Sequence, residues 1–151
     1  MKKIILSAAV MMLVITGFST TPPDVNPDVN IKVLDAFNKT FGNIKNLEWF
    51  ENENSYEAHF NSDGVIRVIV WYDKDGDLLR MHRYYNEDKL PPFLLTGIRK
   101  KMPTQKIYGI TEITGREGVE YYITLESEKH WIKIKADATG QFEVYEKFKK
   151  A

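Results

Sequence analysis

The feature that most constrains the fold is an internal repeat that covers the chain beyond about residue 30. Apolar residues at helical spacing recur 61 positions later, in the pairs Val33 and Leu94, Phe37 and Ile98, and Phe41 and Met102. The turn motif Asp73-x-x-Gly76 recurs as Asp137-x-x-Gly140, 64 positions later. The three extra residues are placed in a hairpin around Gly115 to Gly118. Two copies of about 60 residues predict a tandem pair of modules, because solenoids have shorter and more numerous repeats.

Each copy is predicted to form one helix followed by four strands. Asp28 or Asn30 can cap the first helix and Gly42 follows its end, while Pro91-Pro92 opens the second. Turn signals separate the predicted strands 47–51, 56–60, 65–72, 78–85, 106–113, 119–126, 131–136 and 142–148. We therefore predict an α+β fold with two tandem helix-plus-four-stranded antiparallel modules, residues 31–86 and 87–151. Their sheets are expected to join into one, with both helices on a single face.

The N-terminal segment predicts export. Lys2 and Lys3 precede an apolar run over 4–18, and small residues and two prolines follow it, which is the layout of a cleaved signal peptide at 1–21. The run is shorter than the roughly 20 residues of a membrane-spanning helix; an uncleaved anchor is the alternative. Residues 22–30 are interpreted as a linker. The chain has no cysteine, hence no lipidation site and no disulfide, and we expect a periplasmic or secreted protein without a stable membrane anchor.

Several short motifs carry a family resemblance through their order and duplication. They are Val33-x-x-Ala36-Phe37-x-x-x-Phe41, Glu48-Trp49, Tyr56-x-x-x-Phe60, Tyr72-Asp73-x-x-Gly76, Leu90-Pro91 and the second Asp-x-x-Gly. From about residue 29 to 148 the chain resembles exported PepSY-like proteins of Bacteroidota with a β-lactamase-inhibitor-protein-like (BLIP-like) fold. The resemblance implies tandem modules, a periplasmic or secreted setting, no established catalytic activity and a role in protein binding or inhibition. It supplies no functional residues.

Catalytic and metal chemistry find little support in the sequence. His59, His82 and His130 lie in or beside different strands with no ligand spacing, and no cysteine is present to complete a zinc site. The acidic run Asp73 to Asp77 has its glycine at the fourth position of the loop and strands on both sides. It is better explained by a type I turn with a left-handed glycine than by an EF-hand. Nucleophile elbows and phosphate-binding glycine loops are absent. We expect no enzyme activity, cofactor or metal.

The charge balance argues against nucleic-acid binding. The 21 basic and 21 acidic residues give no net charge, whereas nucleic-acid-binding domains carry a basic face.

A candidate binding surface follows from the strand register. A three-residue hairpin at Lys74 to Gly76 pairs Tyr72 with Leu78 and Trp71 with Leu79. On the face away from the helices, this register places Arg67, Ile69, Trp71, Leu79, Met81, Arg83 and Tyr85. The second copy adds Tyr122, Trp131, Lys133 and Tyr145 there, with Lys147, and turns Phe148 toward the helices. Aromatic residues interleaved with Arg and Lys are typical of interface hot spots.

We therefore expect a non-enzymatic binding module, an inhibitor or envelope regulator, whose partner is another envelope or secreted protein. One alternative is a carrier with a small apolar ligand in the sheet groove. A second alternative is a structural envelope protein that homodimerises through the same face. A crossing loop or the linker could also cover this face.

Overall fold

The computed structural model describes residues 27–150, so the predicted signal peptide and most of the predicted linker lie outside the described residues. The two helices are α1 (Ile31–Phe41) and α2 (Pro92–Lys101), and a short 3-10 helix, Glu87–Lys89, precedes α2. The strands are β1 (Glu48–Asn52), β2 (Ser55–Ser62), β3 (Ile66–Asp73), β4 (Leu78–Tyr85), β5 (Lys106–Gly115), β6 (Gly118–Glu126), β7 (His130–Asp137) and β8 (Phe142–Lys149). Each predicted helix and strand overlaps an observed one.

Local chemistry sets the helix ends. Of the two candidate caps for α1, Asn30 is used, and its side-chain oxygen accepts a hydrogen bond from the Lys32 amide at 2.9 Å. Gly42 ends α1 with φ of 70°, a conformation that favours glycine. The α2 helix starts with Pro92 in its first turn, where a missing amide hydrogen costs nothing.

The eight strands form one antiparallel sheet in sequence order, β1 to β8. Directly opposed residues share a face of the sheet, and one cross-strand row contains Phe60, Val68, Arg83, Glu112, Tyr121, Ala136 and Phe142. The ring of Phe37 in α1 lies 5.5 Å from that of Phe60. A Cβ added to Gly97 of α2 would lie 3.9 Å from the Phe142 ring. Both helices therefore cover the same face, and the α+β class with one sheet is confirmed, while the duplicated modules 31–86 and 87–151 stay a prediction.

The core lies between the helices and this face. Val33 and Phe37 of α1 and Leu94 and Ile98 of α2 are fully buried. Phe37 also contacts Trp49 edge-on, with 5.3 Å between ring centroids. Burying one such side chain stabilises the fold by roughly 1.5–3 kcal/mol, which lets a cysteine-free chain fold around its hydrophobic core.

The two Asp-x-x-Gly turns are built alike and adjoin the two helices. The Asp73 carboxylate accepts hydrogen bonds from the Asp75 and Asp77 amides, both at 2.9 Å, and Asp137 makes the equivalent pair at 2.8 and 3.1 Å. Gly76 and Gly140 have φ of 91° and 90°, as the type I turn interpretation requires. The turns approach the helices closely, since a Cβ on Gly76 would lie 2.8 Å from the Lys32 carbonyl oxygen.

A β-bulge makes the predicted register of β4 wrong beyond its first residue. Tyr72 opposes Leu78 as predicted, but Leu79 is the extra residue and Trp71 opposes Arg80. One inserted residue reverses the facing of every later side chain. Met81, Arg83 and Tyr85 were predicted to face away from the helices; they face toward them.

A second bulge makes the predicted facing of the last residues of β8 wrong. Ile134 opposes Val144 and Lys133 opposes Glu146, so Tyr145 is the extra residue. Phe148 was predicted on the helix side, but it opposes Trp131 on the other face. Lys147 opposes Ile132 and lies on the helix side instead of the predicted outer side.

Candidate functional site on the open face of the sheet

The face of the sheet away from the helices, called here the open face, carries two groups of aromatic and cationic side chains. The Trp71 cluster consists of Arg67, Ile69, Trp71, Arg80, His82 and Tyr84. The Trp131 cluster consists of Tyr108, Tyr122, Trp131, Lys133, Tyr145 and Phe148. Of the predicted binding residues, the open face brings together Arg67, Ile69, Trp71, Tyr122, Trp131, Lys133 and Tyr145. Leu79 lies at the bulge, where it is 36% exposed.

Stacked rings and guanidinium groups organise the Trp71 cluster. The guanidinium carbon of Arg80 lies 4.3 Å from the centroid of the Trp71 ring, and the His82 ring lies 4.6 Å from it. Arg67 lies 5.7 Å from the centroid of the Tyr84 ring. Stacking of this kind holds each cation by attraction to the aromatic face. It presents two positive groups beside the aromatic rings of the cluster.

The positive charge of the Trp71 cluster lies on Arg67 and Arg80. Burial, and then the neighbouring Arg80 cation, lower the pKa of His82 below its ordinary value. The imidazole is therefore neutral near pH 7, and its Nδ1 lies 3.2 Å from the Tyr84 hydroxyl. Within residues 27–150, neither Arg67 nor Arg80 has a carboxylate within ion-pair distance.

The Trp131 cluster is more exposed and its lysine is already paired. Tyr108 contacts Trp131 with 4.8 Å between ring centroids, and Tyr122 meets Tyr145 edge-on at 5.7 Å. Tyr108 and Tyr145 are 65% and 61% exposed. The ammonium group of Lys133 lies 2.7 Å from Glu146. This cluster therefore offers apolar area to a partner, while its charge is balanced within the sheet.

Arg83, which the bulge in β4 turns away from the open face, belongs to a polar network on the helix side of the sheet. Its Nη1 donates to both oxygens of Glu112, at 3.0 and 3.3 Å, and the Tyr85 hydroxyl donates to the same carboxylate at 2.7 Å. Glu112 is only 8% exposed. Burial, and then the bond to Glu112, raise the pKa of Tyr85 far above its ordinary value. These contacts give Arg83 and Tyr85 a structural role and remove them from the open face.

Sequence reasoning missed Arg80, His82 and Tyr84 on β4, and Tyr108 and Phe148 in the Trp131 cluster. The composition of β4 carried a signal, because Met81 and Tyr85 are more apolar than Arg80 and His82. An antiparallel strand turns its more apolar set toward the core, which favours the bulged register.

Within residues 27–150, no three His, Asp or Glu side chains are grouped so that they could hold a metal ion. None of the helices in that range is long and apolar enough to span a bilayer.

An eight-stranded antiparallel sheet with two helices on one face is the BLIP-like fold. The chain is similar, with a TM-score of 0.62 and 19% identity, to the crystal structure of a BLIP-like protein from Bacteroides fragilis, covering 87% of this chain and 89% of that one. The chain is also similar to a protein from Bacteroides eggerthii that is provisionally described as periplasmic, with a TM-score of 0.60 and 16% identity, covering 80% of this chain and 88% of that one. It is also similar to a DUF2874 family protein from Bacteroides uniformis, with a TM-score of 0.59 and 16% identity, covering 80% of this chain and 88% of that one.

Neither a protein-family model nor a curated protein sequence matches the chain. At these identities the likeness shows the fold, and it confirms the predicted BLIP-like architecture. The PepSY relationship stays a prediction.

Proposed function

We propose that this is an exported, non-enzymatic protein that binds another envelope or secreted protein through the open face. The observation that carries the proposal is the exposure of Tyr108, Tyr145 and Phe148 on a sheet face that neither helix covers. Covering about 300 Å² of such aromatic surface is worth on the order of 7 kcal/mol at about 25 cal/mol per Å². The cost of association, about 4–15 kcal/mol, is of similar size. Burial of the rings and the polar contacts of the open face must therefore act together to hold a partner.

The polar groups of the open face support binding over catalysis. The carboxylates of Glu57, Glu120 and Glu146 are occupied by His59, Lys135 and Lys133. His82 is hydrogen-bonded to Tyr84. A general acid or base needs an accessible group with a pKa near the working pH, and these arrangements favour steering and specificity instead.

Export is supported by the predicted signal peptide and by the provisional periplasmic description of the Bacteroides eggerthii protein. A role as inhibitor or envelope regulator is part of the same proposal, since the BLIP-like fold is shared with the Bacteroides fragilis protein.

The test is capture from an envelope extract of the producing bacterium with residues 22–151 as bait. A Trp131→Ala/Tyr145→Ala variant removes two rings of the Trp131 cluster. Phe93→Ala is the matched control, because Phe93 is a 49% exposed aromatic on α2 at the other face. We expect a partner, identified by mass spectrometry, to bind the parent and the control when purified, and not the double variant. Equal binding to all three would refute the open face as the site.

The two alternatives give different results. Homodimerisation predicts a mass in sedimentation that rises with concentration and falls back to the monomer value in the double variant. A carrier predicts a small apolar molecule that co-purifies with the parent and is seen by native mass spectrometry.

A further inference from the structure

A shallow cavity of about 390 Å³ lies where the end of β4 meets the beginning of β5, between the two clusters. Its open-face walls are Tyr84, Thr111, Thr124 and Tyr108, and Gly109 lies among them opposite Thr124. A Cβ added to Gly109 would have no heavy atom within 4 Å. We call this cavity the Gly109 notch.

The fold itself does not require glycine at this position. The φ of Gly109 lies outside the left-handed region, and the space above it would accept a side chain. Glycine in the interior of a strand lowers stability by roughly 0.5–1 kcal/mol relative to alanine. Gly109 follows a β-bulge at Tyr108, and a strand glycine marks either such a bulge or a site where a ligand or another chain approaches the backbone closely. The bulge does not call for glycine here, because the φ of Gly109 is not left-handed. The missing side chain keeps the notch open.

The positive charge of Arg67 beside the notch indicates which chemical group a partner would place there. Arg67 directly opposes Tyr84, whose side chain forms one wall, and its guanidinium group stacks over that ring. Within residues 27–150 it has no carboxylate partner, whereas Lys133 and Lys135 on β7 each have one. A guanidinium group stacked on a ring keeps its N–H edge free for two parallel hydrogen bonds to a carboxylate.

We propose that the Gly109 notch anchors a segment of the partner protein that places an aromatic or large aliphatic side chain against Gly109 and a neighbouring carboxylate on Arg67. This rests on the proposed function and adds the chemistry of the recognised segment. The notch is at the small end of ligand pockets, which are about 300–1,000 Å³. A cavity of this volume has room for one anchoring side chain of a partner, as a hot-spot pocket does. Tyr84 and Tyr108 supply ring contacts on two sides.

The test selects, from random 12-residue peptides displayed on phage, those that bind the parent protein. The binding of these peptides to the parent is then compared with their binding to Gly109→Val, whose valine side chain fills the notch. Gly115→Val is the matched control, because Gly115 lies on the same strand, also has open space above it and has no left-handed φ. Both variants are expected to keep the parent's thermal unfolding midpoint or to raise it, because valine suits a strand better than glycine.

Enriched peptides are expected to carry Asp or Glu close to Phe, Tyr, Trp or Leu. Gly109→Val should weaken them at least about tenfold, as a blocked pocket would, and Gly115→Val by less than about twofold. Arg67→Gln should weaken them about threefold to fivefold, as for an exposed ion pair. Arg116→Gln, an equal charge change at the β5–β6 turn, should have no effect.

Peptides without this composition, or peptides that bind Gly109→Val as well as the parent, would overturn the proposal. So would self-association of the parent that Gly109→Val abolishes, because a second copy would then be the occupant. If the envelope partner depends on Trp131 and Tyr145 but binds Gly109→Val normally, the notch is wrong while the proposed function stands.

Discussion

Arg83→Met separates the structural role of Arg83 from a role in partner binding. The substitution keeps most of the apolar stem and removes the guanidinium group that donates to Glu112 at 3.0 and 3.3 Å. Glu112 then remains buried, with the Tyr85 hydroxyl as its side-chain donor. Removing one partner of a fully buried ion pair costs roughly 3–5 kcal/mol.

The expected cost here is smaller, because the Arg83 side chain is 34% exposed and solvent weakens the pair. We expect the free energy of unfolding to fall by about 2–3 kcal/mol. For a domain of this size that corresponds to a midpoint lower by about 8–12 °C. Replacing the whole network, Arg83→Met/Glu112→Leu/Tyr85→Phe, should return stability to within about 1 kcal/mol of the parent, since no buried polar group is left without a partner.

Urea unfolding followed by tryptophan fluorescence measures both values, with Arg80→Met as the control. Arg80 precedes Arg83 on the same strand but is exposed on the open face, so its loss should cost less than about 1 kcal/mol. The reasoning is refuted if Arg83→Met costs less than about 0.5 kcal/mol, or if its cost is the same when Glu112 is already leucine. Peptide binding by the open face should be unchanged in Arg83→Met.

The remaining predictions concern stability. His82→Gln should make the free energy of unfolding depend less on pH below about 6.5. The pKa of His82 is lowered in the folded state, mainly by burial, so the unfolded chain takes up the proton first and the parent loses stability as the pH falls. Parallel profiles of unfolding free energy for parent and variant between pH 7.5 and 5 would contradict this. Gly76→Ala should cost about 2–3 kcal/mol and Gly140→Ala about 1–2 kcal/mol in urea unfolding, because a Cβ meets rigid backbone at the first turn and a movable ring at the second; the reverse order would be inconsistent with these contacts. Phe37→Ala should cost about 3–5 kcal/mol by leaving a cavity beneath α1, measured in the same way, and a cost below about 1 kcal/mol would place Phe37 outside the core.

Much of the fold was predictable because its signals are local. Helical spacing, the Asn30 cap, Pro92 and the paired Asp-x-x-Gly turns act within a few residues of where they stand in the sequence. The turns even specified the first cross-strand pair, Tyr72 with Leu78. These elements follow from backbone preferences that do not depend on the rest of the chain.

The face assignment failed where it depended on a distant contact. Leu79 is accommodated as an extra residue because Arg83 and Tyr85 can then meet Glu112, which lies 29 and 27 residues further along the chain. No local motif announces such a bulge. The alternation of β4 carried only a weak signal, since each of its two faces contains an arginine and a tyrosine and mainly Met81 against His82 favours the observed facing.

The open face is where sequence differences can change function without changing the fold. Both helices and the core lie on the other side, so side chains such as Arg67, Arg80 and Tyr108 are not held in place by core packing. Exposed polar side chains would keep such a sheet soluble at less risk of association. Besides its ion pairs, the face carries stacked guanidinium groups, exposed rings and an unstrained glycine that leaves space above the backbone. The core needs none of these three features, and a partner with apolar and acidic groups would contact all of them, which is why they support the proposed role in recognition.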